Sequence, residues 1–140
     1  METEILKPVL ALVAWSLVVC VWLFCRRIPA MTRAKIDPAT VAHPAALPGL
    51  LPKDVEAVAD NYNHLMEQPT VFYALCFYLS LSGVADPLAV QLAWAYVGLR
   101  IVHSLIQNLG NPLLPRFAVF LLSTAALIVM TVRALLSLAH

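Results

Sequence analysis

Residues 8–25 read PVLALVAWSLVVCVWLFC, a run from Pro8 to Cys25 with no Asp, Glu, Lys or Arg. As a helix rising 1.5 Å per residue, it nearly crosses a hydrocarbon layer ~30 Å thick. Three more charge-free runs follow: Gln68 to Ala85, Pro87 to Leu99 and Phe117 to Val132. The first of these nearly suffices alone. The next reaches the required length if it continues through Arg100 to about Leu109, and the last if it spans Pro112 to about Ser137. The pattern predicts four transmembrane helices, near 6–27, 54–83, 87–109 and 112–138, with a loop over 28–53. The expected architecture is an all-α integral membrane four-helix bundle, one domain over residues 1–140.

Composition agrees. Hydrophobic residues make up 61% of the 140-residue chain and charged residues 12%, against roughly 45–50% and 25% in soluble domains. Nine Lys and Arg and eight Asp and Glu cannot build the charged shell a small soluble globule needs. A formal net charge of +1 leaves no basic surface for nucleic acid, so none is expected as a partner.

The helix ends carry local signals. Asp86-Pro87 offers an N-cap acceptor followed by proline at the first helical position. Ser82-Gly83 closes the second span, Gly110 follows the third and Asn111-Pro112 opens the fourth. Five of the ten prolines fall between Ile28 and Pro52, which argues for a loop there. The first span lacks a convincing small-residue cleavage site and ends in Arg26-Arg27, so it reads as a retained anchor. Arg26, Arg27, Arg33, Lys35, Lys53 and Arg116 gather on one side, against Lys7 and Arg133 on the other. The positive-inside rule places the first loop and the turn between spans three and four in the cytoplasm, with both termini outside. Cys20, Cys25 and Cys76 lie in apolar spans without paired spacing and read as small apolar filler, and no metal signature is present. His43 and His140 read as loop and tail residues.

Two polar groupings are costly enough to need a reason. Glu56, Asp60, Asn63, His64 and Glu67 recur every three or four residues in the second span and so share one helix face. Arg100, His103 and Gln107 do the same in the third. A charge at the centre of a bilayer helix costs roughly 2.5–3.5 kcal/mol on insertion scales and normally faces a partner. From the turn near Ala85, Glu67 lies about 25 Å along one span and Arg100 about 20 Å along the next. Their similar depth predicts a Glu67–Arg100 ion pair. Glu56 and Asp60 are expected to be solvated on a projecting helix end. Pro69 removes the hydrogen bond to the Leu65 carbonyl and is expected to bend the second helix beside Glu67.

At these residues the sequence resembles the MAPEG family, the membrane-associated proteins of eicosanoid and glutathione metabolism. The carriers are Asn63-His64-Leu65-Met66-Glu67-Gln68-Pro69 with Phe72-Tyr73, then Arg100-Ile101-Val102-His103, then Pro115-Arg116. The resemblance implies a homotrimer, with glutathione as co-substrate held between subunits at the cytoplasmic side and a lipid or lipophilic molecule entering from the bilayer. By that similarity Arg116 is the candidate thiol-activating residue. Arg26 (or Arg27), Asn63, His64, Glu67, Arg100, His103 and Gln107 are the candidates for holding glutathione. The chain departs from the family at Asp60, where an arginine is common. It departs again at Gln107 and Phe120, where aromatic hydroxyls occur, and at Phe117, where one branch has serine. Two functions stay open: a glutathione-dependent transferase or peroxidase acting on lipophilic electrophiles or lipid hydroperoxides, and a non-catalytic lipid-binding or scaffold protein on the same fold. A small transporter fits less well, because the paired broken helices of a midplane site are missing.

Overall fold

Apolar periodicity and proline placement divide the described residues into five helices and no strand. The computed structural model describes residues 1–37, 39 and 49–140; most of the expected loop, with His43, lies outside them. The helices are α1 (Leu6–Arg33), α2 (Lys53–Leu65), α3 (Gln68–Leu81), α4 (Pro87–Leu109) and α5 (Leu113–Ser137). Among the described residues α1, α4 and α5 are each long and apolar enough to cross a membrane. The fourth leg of the bundle is composite, α2 followed by α3.

That division corrects the single helix expected over 54–83. Pro69 does more than bend the chain: it sits in the first turn of a new helix, where no backbone N–H is required. Glu67, with φ −92° and ψ −96°, is the non-helical residue at the junction. The turn is closed by tighter bonds, Met66 N to Asn63 O at 3.0 Å and Glu67 N to His64 O at 3.2 Å. Gln68 anchors the start of α3 from both sides. Its amide donates to Thr124 Oγ1 on α5 at 3.0 Å, and its carbonyl accepts from the Tyr96 hydroxyl on α4 at 3.2 Å.

The first helix also differs from expectation, running to Arg33 rather than ending near residue 27, with Pro29 inside it. Packing explains the extension: Ala30 is buried with Leu51 and Val55, and Met31 and Ile36 close around them. Burial of this face outweighs the one hydrogen bond that Pro29 removes. Other boundaries fall where the local signals put them. Asp86 caps α4, its Oδ1 accepting from Ala89 N at 2.7 Å, with Pro87 in the first turn. Gly83 follows α3 with φ +71°, a conformation that favours glycine. After α4 it is Asn111, at φ +58°, and not Gly110 that takes the left-handed conformation.

The main core joins Leu12 of α1, Leu65 of α2, Phe72 and Cys76 of α3, Ala93 and Tyr96 of α4 and Met130 of α5. Phe72 and Tyr96 stack at 4.5 Å between centroids, and the small Ala93 lets the helices approach. Outward faces are apolar too, with Leu10, Leu17 and Val21 on α1 and Leu121, Leu122 and Ile128 on α5 exposed. α4 packs on α1, α2 and α5, so its polar residues are enclosed by the bundle. That central position makes the site.

Candidate functional site: a polar cleft between α2, α4 and α5

The polar stripe of α4 is buried. Arg100 is fully enclosed, and His103, Ser104 and Gln107 are buried beside it on the same face. Opposite them, α2 supplies Asn61 and His64. Ser104 Oγ donates to Asn61 Oδ1 at 3.1 Å, a buried cross-helix bond that ties the two elements. The apolar residues Val58 and Leu65 of α2 carry the signal for Asn61, since at three and four residues' distance it falls on the same inward-packing face. The polar stripe points instead to Asn63, whose side chain is exposed.

Arg100 and Glu67 do not meet. Arg100 Nη1 lies 3.3 Å from His64 Nε2, and His64 Nδ1 lies 3.3 Å from Glu67 Oε2. A guanidinium can only donate, so Nε2 must be the acceptor and Nδ1 must carry the ring hydrogen toward the carboxylate. The expected direct ion pair is therefore a three-residue chain with a neutral imidazole in the middle. The reason is the break after Leu65: Glu67 leaves the helical register, and its side chain, 69% exposed, turns back to the ring three residues earlier.

The chain of contacts leaves buried polar nitrogens unspent. Arg100 Nε and Nη2, and His103 Nδ1, have no hydrogen-bond partner among the described residues. A buried polar group left without a partner costs about 1–3 kcal/mol. The guanidinium also lies 5.9 Å from the Phe120 ring centroid, within cation–π range. His64, His103 and Phe120 form an aromatic group, with His64 5.1 Å from His103 and 5.4 Å from Phe120.

This group opens into a cleft of about 390 Å³. His64, His103, Gln107 and Arg116 line it, so four of the candidate residues from three helices converge there. Arg100 stands behind the wall, reached through His64 and Phe120. Asp60 is exposed, as expected of a solvated residue, and it also lines the cleft, as do Leu113, Phe117 and Phe120. Arg116, in the first turn of α5, donates through Nη1 to Asn111 Oδ1 of the preceding turn. Asn63 and Glu67 present exposed side chains elsewhere and do not line this cleft. Arg26 pairs with Asp54 and lines a neighbouring cleft of about 540 Å³, to which Gln107 also contributes. Among the described residues, no group of three or more His, Cys, Asp or Glu is placed to hold a metal ion, and all three cysteines are free.

Membrane-length apolar helices around a cleft lined by cationic and aromatic side chains define an integral membrane helical-bundle protein. The model of the MAPEG family matches residues 5–136. The chain belongs to the MAPEG family. No curated protein and no solved structure matches it.

Proposed function

We propose that this protein is a membrane-bound, glutathione-dependent transferase or peroxidase acting on lipophilic electrophiles or lipid hydroperoxides. The observation that carries the reading is the convergence of Arg116, His64, His103 and Gln107 on one cleft, with the unspent donors of Arg100 behind it. Family membership supports it, since MAPEG proteins are glutathione-associated membrane proteins of lipid metabolism.

The chemistry needs a thiolate. A free thiol is a weak nucleophile at neutral pH until its proton leaves or its anion is stabilised. Arg116 suits that role as a permanent cation at the cleft wall, offering N–H donors to a developing sulfur anion. Attack of the thiolate on an electrophilic carbon forms a thioether as the leaving group departs with its bonding pair or, in an addition, as the displaced π pair takes up a proton. With a lipid hydroperoxide, two thiols become a disulfide while the peroxide yields an alcohol and water. His64, His103, Gln107 and Arg100 orient the tripeptide in this reading. Arg26, Asn63 and Glu67 lie off the cleft, and they serve the same ligand only if it extends to a neighbouring copy. The reading therefore includes a homotrimer, with the first loop and the α4–α5 turn facing the cytoplasm.

Purified protein assayed with glutathione and a generic electrophile tests this against Arg116→Ala. Loss of one preorganised donor to a developing anion costs about 100-fold or more in turnover. Absence of thiol-dependent turnover, or full activity in the variant, overturns the proposal.

A second reading is a non-catalytic lipid-binding protein. Phe117 and Phe120 in the cleft wall favour it, because they offer apolar surface where a thiol ligand would use hydroxyl donors. A lipid that co-purifies, together with no thermal stabilisation by glutathione, would select it.

A further inference from the structure

The cleft holds charges of both signs that do not neutralise each other. Asp60 and Arg116 line the same space, yet neither belongs to any ion pair among the described residues. Arg116 spends one donor on Asn111, in the turn that precedes α5. Asp60 accepts no hydrogen bond among the described residues. Gln107 lines the same cleft and is only 7% exposed, with its Oε1 enclosed and without a partner among the described residues. An exposed carboxylate with no ion pair among the described residues, on the wall of a cleft that also holds a cation, makes a receptor for a hydrogen-bond donor of positive charge.

We propose that Asp60 is the ammonium-binding subsite of this cleft, so that the ligand is a zwitterion whose amine meets Asp60 and whose anionic group, the thiolate in the case of glutathione, meets Arg116. The inference rests on the cleft being the ligand site, as in the reading above. It narrows the ligand chemistry to molecules carrying both a primary amine and an anion on a body that can lie against Phe117 and Phe120. An amino-acid-headed thiol such as glutathione has this chemistry, and so does an aminophospholipid headgroup. An anion without an amine would leave Asp60 desolvated and unpaired, which disfavours its binding.

The test is ligand-induced thermal stabilisation of the detergent-purified full chain, with probes compared in pairs. Glutathione is compared with N-acetylglutathione, which keeps the thiol and carboxylates but loses the ammonium. Short-chain phosphatidylethanolamine is compared with short-chain phosphatidic acid. The expected result is at least a tenfold preference for the amine-bearing member of one pair, abolished in Asp60→Asn and retained in Asp60→Glu. A preference confined to the phospholipid pair leaves the Asp60 subsite standing and removes glutathione as co-substrate. The proposal is overturned if neither pair shows a preference, if no probe binds, or if the preference survives in Asp60→Asn. The comparison within the wild-type protein decides the question even if that variant does not fold.

Discussion

Arg100 is the residue on which the site turns, and its surroundings are unlike those of a helix-joining ion pair. It is fully buried, its one hydrogen bond goes to a neutral ring, and two of its nitrogens have no partner among the described residues. A charge held this way adds little to stability, since an apolar residue of similar volume is often neutral or stabilising in its place. Arg100→Met should therefore melt at or above the wild-type temperature without ligand, yet lose the glutathione-induced rise in melting temperature. Differential scanning fluorimetry in detergent reads both quantities. A variant that melts far lower would assign Arg100 to structure alone. The residue types of the site were legible from spacing: Arg100, His103 and Gln107 recur on one helical face and stay together. The partner of Glu67 was not legible, because it depends on a backbone break that spacing cannot locate.

At the scale of elements, caps were legible and continuity was not. Asp86 illustrates the first: its carboxylate caps α4 through Ala89 N and also pairs with Arg133 on α5. Losing an N-cap acceptor costs about 1 kcal/mol, whereas an ion pair this exposed contributes less than that after solvent screening. Asp86→Ala should destabilise the protein by about 1–2 kcal/mol, and Asp86→Asn should recover most of the loss because asparagine caps equally well. Equilibrium unfolding in mixed micelles distinguishes them; equal losses in both variants would assign the effect to Arg133. The two prolines show why continuity is hard to read. Pro29 lies within α1, while Pro69 opens α3 after a break. The difference is tertiary. Ala30 packs on Leu51 and Val55 where α1 continues past its proline, whereas Gln68 is pinned by Thr124 and Tyr96 where α3 begins.

For the whole molecule, the apolar outer faces of α1 and α5 suit lipid or another copy of the chain. The candidates left outside the α2–α4–α5 cleft, Arg26, Asn63 and Glu67, have exposed side chains, as expected of residues completed by a neighbour. In the trimer proposed here, native mass spectrometry from detergent should give three times the 15.3 kDa chain mass. A monomer that still turns over glutathione would remove the neighbour from the site and leave the α2–α4–α5 cleft to bind the ligand alone.

Membrane residence, helical class and the main helix ends were settled by local properties of the chain. Hydropathy over a span, a capping carboxylate before a proline and a glycine after a helix act through near neighbours in sequence. The cross-helix relations were decided only in three dimensions. The break after Leu65 turns Glu67 onto His64, while the packing of α2 and α5 against α4 brings Asp60 into a cleft with Arg116. Such relations depend on how each helix is rotated about its axis. That rotation is chosen by the packing of the whole bundle, which no single segment encodes.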